Sequence, residues 1–182
     1  MNIPHRWPSG RPGEDEYADY ARVDIERVQG DDAVEVLSEL ARNTVELLAP
    51  LEEDKVTGLS YGPGKWTLKE IVGHIIDDER IFAYRALCIA RGEQRPLPGF
   101  DENDYARGAQ FESRSLASLL IEYQAVREAS LALFSSLSSE AWMRRGVVTD
   151  YEASVRGLAF HIAGHEMHHI RILSERYLSQ LV

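Results

Sequence analysis

Cysteine is almost absent from this 182-residue chain, because Cys88 is the only one and no internal disulfide can form. Such a composition is typical of a reducing compartment, so we expect a cytoplasmic protein. The N-terminal sequence MNIPHRWPSGRPGEDEY lacks the apolar stretch of a signal peptide. No run of about 18 apolar residues occurs either, so the sequence predicts no membrane-spanning helix and no membrane partner.

Basic residues are also scarce. The chain has 20 lysines and arginines against 30 acidic residues, a formal net charge of −10. Nucleic-acid-binding proteins usually show the opposite balance, so a nucleic-acid partner is not expected. The apolar fraction of 44% is ordinary for a globular protein, and the length suits one domain with one substantial core. We therefore treat residues 1–182 as a single domain.

Strand-like alternation is nearly missing, whereas helical periodicity is plain. The second of four long helical patterns opens with Thr67 and Glu70, a capping-box pair. Four such helices predict an all-α four-helix bundle within residues 31–182. Residues 1–30 form a polar N-terminal extension in which DEYADYARVDIERV suggests a short helix packed outside the bundle. The four helical patterns cover about residues 31–48, 67–92, 115–137 and 154–178.

The connection between the second and third helices, GEQRPLPGFDENDYARGAQFES, shows no periodicity. Adjacent antiparallel helices need only about 2 to 8 linking residues. A connection of this length can carry the chain along the whole bundle, so that the third helix need not be antiparallel to the second. The alternative is a functional lid.

Histidine is concentrated in the fourth helix, where FHIAGHEMHHIRIL contains four of the six histidines of the chain. On a helical wheel His169 lies inside the apolar face and His165 at its border, whereas His161 and His168 lie at or beyond the edge. Side chains at positions i and i+4 are close enough for two imidazoles to bind one ion. His165 and His169 are therefore candidate metal ligands.

A third candidate ligand, His74, flanks the apolar face of the second helix. A lone helical histidine is more typical of a core or surface position, but together with the inward pair it makes a three-histidine metal site inside the bundle. Carboxylates that could orient an imidazole of such a site lie nearby in the sequence: Asp77, Asp78, Glu79 and Glu166. His5, in a proline-rich terminus, is expected to be unrelated to this site.

The segment His165-Glu166-Met167-His168-His169 also matches the H-E-x-x-H pattern of zinc proteases. The extended form of that pattern requires a glycine and a further histidine where this chain has Ile172 and Glu175. Little chain follows His169 to supply a later ligand, and no strand is predicted to hold a peptide. The context therefore argues against a protease.

Three segments together resemble the DinB/YfiT-like superfamily of metal-binding four-helix bundles. These are KWTLKEIVGHIIDDERIFAYRAL, PLPGFDENDY and SVRGLAFHIAGHEMHHIRILSERYL. The resemblance implies an up-down-down-up bundle, a homodimer, and a metal triad of His74, His165 and His169. His161 and His168 are extra to that triad.

The resemblance also implies the chemistry. We expect a divalent ion (zinc, nickel, iron or manganese) and a small-molecule substrate. The first hypothesis is an S-transferase that uses a low-molecular-weight thiol. The alternatives are a hydrolase that uses metal-bound water, with Glu166 or Asp78 as weak candidates for the catalytic base, and a non-catalytic, stress-linked metal- or ligand-binding protein.

Overall fold

A computed structural model describes residues 7–181 of the chain. Four long helices form its frame: α2, α4, α6 and α8. Four shorter helices, α1, α3, α5 and α7, and a hairpin of two strands, β1 and β2, occupy the connections. The bounds are Arg22–Arg27 (α1), Ala33–Leu48 (α2), Glu53–Val56 (α3), Leu68–Ala90 (α4), Glu102–Ala109 (α5), Leu116–Ser135 (α6), Ser139–Met143 (α7), Arg145–Val148 (β1), Tyr151–Ser154 (β2) and Val155–Ile172 (α8).

Each long helix begins at a side-chain cap. Asp32, Thr67, Ser115 and Ser154 each accept a hydrogen bond from a backbone N–H in the first turn that follows. These caps satisfy donors that have no partner within the helix. The predicted helix starts are thus confirmed to within two residues, including the capping box at Thr67. The fourth helix, predicted to reach about residue 178, leaves α geometry after Ile172 and continues as a π turn, Leu173–Tyr177, and a 3₁₀ turn, Leu178–Gln180.

The four long helices form an up-down-down-up bundle, as predicted. Helix α4 packs on α6 and α8, and α2 packs on the same two helices. The start of α6 lies beside the start of α4, because the ring of Phe111 fills the space that a side chain at Gly73 would occupy. Helices α4 and α6 are therefore parallel neighbours, and the long connection between them runs the length of the bundle.

Two features of the connections were not predicted. The segment that lacks periodicity contains α5, and the segment before α8 forms the β1–β2 hairpin, in which Arg145 pairs with Ser154 and Val148 with Tyr151. Strands of four residues are too short to show a clear alternation in sequence. Leu97 pairs with this hairpin through two backbone hydrogen bonds of 2.9 and 2.8 Å. The hairpin thereby fixes the loop that follows Leu97 against the bundle.

The N-terminal extension packs outside the bundle, as predicted. Helix α1 lies on α8, and the contact is close enough that a Cβ on Gly164 would meet the backbone of Asp24 at 2.6 Å. Before α1, the turn that contains Glu16 is held to α8 by Arg156, which donates two hydrogen bonds to the carboxylate of Glu16, at 2.7 and 2.5 Å. The extension therefore covers one side of α8 that the bundle itself leaves open.

Buried apolar side chains form two clusters, one towards each end of the bundle. Between them, at mid-height, a layer of buried polar side chains crosses all four long helices. This layer includes Thr44 of α2, Asp78 and Glu79 of α4, Arg127 of α6, and His161 and Glu166 of α8. None of the helices in the described part of the chain is long and apolar enough to span a membrane.

Candidate metal centre

Three histidines converge beside the polar layer: His74 from α4, and His165 and His169 one turn apart on α8. The Nε2 atom of His165 lies 2.9 Å from Nε2 of His74 and 3.1 Å from Nε2 of His169. One nitrogen from each ring lies within 4.8 Å of the other two. The structure thus brings together the three side chains that were predicted as metal ligands.

The spacing of these nitrogens suits a metal ion. With bonds of about 2.0 to 2.1 Å, two imidazole nitrogens at 90 to 110° on one ion lie about 2.9 to 3.4 Å apart. The two Nε2 separations fall in that range. Nδ1 of His169 is buried and has no hydrogen-bond partner within the described residues, so the protein does not fix the orientation of this ring through that atom. The donor set fits a divalent ion.

The three imidazoles are neutral near pH 7. Burial, which disfavours the charged form, lowers the pKa of His165 to about 3 and that of His169 to about 2. Burial also lowers the pKa of His74. A neutral imidazole keeps the lone pair that a metal needs, so no proton has to be displaced from these rings before an ion binds.

Asp78 lies behind His165. Its Oδ2 atom is 3.3 Å from Nδ1 of His165 and 3.5 Å from Nε2 of His161. Burial acts to raise the pKa of Asp78, but the adjacent His165 and His161 outweigh it and lower the pKa to about 2, so the carboxylate is ionised. A carboxylate at Nδ1 favours the tautomer whose Nε2 lone pair points into the cluster. Asp78 is therefore placed as an orienting residue.

The sequence-based position of His161 was wrong in part. The wheel placed it at or beyond the edge of the buried face, yet it is only 7% exposed. Its ring stacks on Phe82 with centroids 3.7 Å apart, and Tyr20 covers it edge-on at 6.0 Å. The wheel considered only the bundle, whereas the N-terminal extension that carries Tyr20 buries this additional side of α8.

His168 lies where it was predicted, outside the cluster. It is partly exposed and its Nδ1 atom lies 3.1 Å from Oδ1 of Asp24 in α1. It therefore links α8 to the N-terminal extension. His5 lies outside the described residues.

Glu166 must be withdrawn as a candidate catalytic base. Its carboxylate is fully buried and accepts hydrogen bonds from Thr44, Tyr123 and Arg127, at 2.6, 2.5 and 2.5 Å. Arg127 also donates to both carboxylate oxygens of Glu79, at 2.8 and 2.9 Å. A carboxylate that accepts three hydrogen bonds inside an ion network is not available as a base for a substrate. The H-E-x-x-H match therefore does not indicate a protease, because its glutamate has a structural role.

Two cavities flank the three histidines. One of about 400 Å³ is lined by His165 and also by Asp78 and His161. The other, of about 280 Å³, is lined by His169 and by residues around Trp66. Glu102, at the start of α5, lines both. An ion held by the three histidines would thus have space for a further ligand beside it.

Sequence reasoning missed several residues of the larger cavity. No sequence motif marked Phe82 and Arg85 as site residues, although their spacing from Asp78 places them on the same side of α4. Glu102 lies in the connection without periodicity, and no role was assigned to it from the sequence. It is exposed, but α5 brings it to the mouth of both cavities. The sequence feature that could have located Glu102 is Asp101, a residue typical of helix N-caps, which predicts that a helix starts at Glu102.

Comparison with known proteins identifies the family. A search of curated proteins found no significant match. Among solved structures, YfiT from Bacillus subtilis, described as a probable metal-dependent hydrolase with an unusual four-helix bundle topology, superposes with a TM-score of 0.72 at 19% identity. The match covers 93% of this chain and 91% of YfiT, which shows that the fold is shared. The sequence model of the DinB superfamily matches residues 36–173, a span that includes all three clustered histidines, and the chain therefore belongs to the DinB superfamily.

Proposed function

We propose that this protein is an enzyme that depends on a divalent metal held by His74, His165 and His169, and that it acts on a small molecule bound in the cavity beside His165. The observation that carries this proposal is the convergence of three Nε2 atoms, one of which belongs to His165 in the wall of that cavity. Structural zinc sites usually have four protein ligands, whereas three ligands and an open position are typical of catalytic sites.

When bound to the three histidines, a divalent ion would lower the pKa of a neighbouring thiol or water molecule and so would supply the deprotonated nucleophile near neutral pH. The side chains of the protein prepare the site. Asp78, whose Oδ2 atom lies 3.3 Å from Nδ1 of His165, favours a proton on that nitrogen and so acts as a positioning residue. The stacked rings of His161 and Phe82 form part of the wall of the cavity beside His165.

Two reactions fit such a centre. The resemblance to thiol-dependent relatives supports transfer of a thiol to an electrophilic small molecule, which is the function that we propose first. The description of YfiT as a probable metal-dependent hydrolase supports hydrolysis as a second candidate. Both use the same open position and differ in which nucleophile occupies it.

The first experiment measures metal content by plasma mass spectrometry after incubation with zinc, nickel, iron or manganese. We expect about one ion per chain in the wild type and a marked loss in His169→Ala. His168→Ala is the matched control, because it removes the adjacent histidine, which lies outside the cluster. Equal metal content in the two variants, or no metal in the wild type, would contradict the proposal.

The second experiment separates the reactions in the metal-loaded protein. A thiol that is transferred to an electrophile only in the presence of the metal supports the S-transferase. Hydrolysis of esters or amides without a thiol, lost in His165→Ala, supports the hydrolase. If neither reaction occurs and the metal-loaded protein binds no small molecule, the non-catalytic interpretation gains support.

Asp78→Asn tests the positioning role. Loss of an orienting carboxylate typically weakens metal affinity by about 10- to 100-fold. We therefore expect a competition titration against a chromogenic chelator to show weaker binding with the stoichiometry of the wild type. An unchanged affinity would mean that Asp78 does not orient His165.

A further inference from the structure

A buried arginine, Arg85, lines the larger cavity at the end away from the three histidines. It belongs to α4, seven residues after Asp78 and about 10.5 Å further along the helix axis. Arg85 is only 4% exposed, although most arginines keep the guanidinium in water. Among the described residues, the one hydrogen bond of its guanidinium is from Nη2 to the backbone oxygen of Pro98, at 2.8 Å.

Arg85 has no acidic partner. Within residues 7–181 no carboxylate lies within 4.0 Å of its guanidinium, and its buried Nε atom donates to nothing. The other fully buried arginine, Arg127, is held by two glutamates. Removing a charge from water without a counter-charge costs several kcal/mol, which makes an unpaired buried guanidinium unusual as a purely structural element.

The acidic residues around the same cavity do not neutralise Arg85. Asp78 faces His165 and His161. Asp24 is paired with Arg27 at 2.7 Å and also lies against His168. Glu102 is exposed. Arg85 is therefore a buried cation of the cavity wall that has no acidic partner in the described part of the chain.

Aromatic rings connect Arg85 to the histidine cluster. Its guanidinium carbon lies 4.6 Å from the ring centre of Phe82 and 5.7 Å from that of Phe100. The ring of Phe82 stacks on His161, and His161 is parallel to His165 with centroids 5.6 Å apart. One side of the cavity is thus formed by aromatic rings between Arg85 and the histidines.

We propose that Arg85 binds the carboxylate of the substrate, and that the substrate is an elongated carboxylate with an apolar or aromatic body. The carboxylate accepts hydrogen bonds from the free guanidinium donors, the body lies along Phe82 and Phe100, and the opposite end reaches His165. Guanidinium and carboxylate match in geometry and form strong, charge-assisted pairs. This assignment rests on the proposed function, since it takes the cavity as the substrate site.

The test measures binding, without turnover, of 4-phenylbutanoate and of its neutral amide by calorimetric titration. Three proteins are compared: wild type, Arg85→Met, and Arg91→Met as a control that removes an exposed charge directly after the same helix. We expect the wild type to bind the carboxylate with a Kd at least about tenfold below that of the amide, and Arg85→Met to lose this preference. Arg91→Met should behave as wild type.

Arg85→Lys and the melting temperatures separate recognition from folding. If the Pro98 contact is the whole role of Arg85, the Met variant melts at a lower temperature while the ratio of the two Kd values is the same in every variant, which overturns the proposal. A carboxylate preference that is partly retained in Arg85→Lys, where a charge remains, and absent in the Met variant supports it.

The titrations are run on metal-free and on zinc-loaded protein, so that the two proposals can fail separately. If zinc does not bind but the carboxylate preference depends on Arg85, the anion site stands and the metal-dependent function does not. If zinc binds to the three histidines and no carboxylate preference appears in either form, the metal centre stands and the assignment of Arg85 is overturned.

Discussion

Arg127→Met is the substitution expected to cost most stability in the polar layer of the bundle. In the wild type, Arg127 donates to Glu79 and Glu166 and also to the backbone oxygen of Leu37, at 2.9 Å. Burial acts to lower the pKa of Arg127, but the two glutamates outweigh it and raise the pKa well above its ordinary value, so the guanidinium is charged throughout the accessible pH range. Methionine replaces the side chain only as far as the position of Nε and removes every donor.

The size of the stability loss in Arg127→Met follows from the two carboxylates that lose their cation. The side chains of Glu79 and Glu166 are each 1% exposed, so the variant contains two buried carboxylates without a cation. Removing one partner from a buried ion pair typically costs about 3 to 5 kcal/mol. In a domain of about 150 to 250 residues each kcal/mol lowers the melting temperature by about 2 to 4 °C. We therefore expect Arg127→Met to melt about 6 to 20 °C below the wild type.

Urea unfolding at pH 7, followed by far-ultraviolet circular dichroism, measures the loss directly. The control is Arg80→Met, which breaks an exposed ion pair with Glu122 on the same two helices and should cost less than about 1 kcal/mol. The double variant Arg127→Met/Glu79→Met should be more stable than Arg127→Met alone, because one uncompensated charge is gone. A loss in Arg127→Met no larger than in the control would refute the reasoning that buried charge dominates here.

Three further predictions concern pH, packing and assembly. The metal-free protein should lose stability as the pH falls from about 6.5 towards 3, by up to about 1.4 kcal/mol per pH unit for each of His165 and His169. The reason is that the unfolded chain takes up protons on these two imidazoles, whereas burial keeps them neutral in the folded protein. Urea unfolding at several pH values measures this loss. Gly73→Ala should destabilise the folded protein by about 1 to 3 kcal/mol, since its Cβ would lie 2.4 Å from the ring of Phe111. Gly108→Ala is the control, because Gly108 has open space around it, and it should be neutral or slightly stabilising. Thermal melts compare the two variants. The homodimer implied by the family resemblance stays a prediction, and sedimentation equilibrium at micromolar concentration tests it; a monomer would contradict it.

The sequence predicted best those features that depend on a single helix. The positions of the long helices followed from apolar spacing and from caps such as Asp32 and Thr67, which act within a single turn. The inward direction of His169 followed from the helical period alone. Prediction failed where the answer depended on a second element: His161 is buried by Tyr20 of the extension, and Glu166 is bound by Arg127 of another helix.

What the sequence by itself determined is therefore the all-α class, the four long helices and the three histidines that can point inward, because each rests on periodicity within a helix. Only the tertiary structure decided that the three Nε2 atoms meet, that Asp78 lies behind His165, and that Arg85 has no acidic partner within residues 7–181. Those facts depend on how α4 and α8 are placed against each other and against the connections. That placement follows from the packing of the whole core, a property that no single segment of the chain contains.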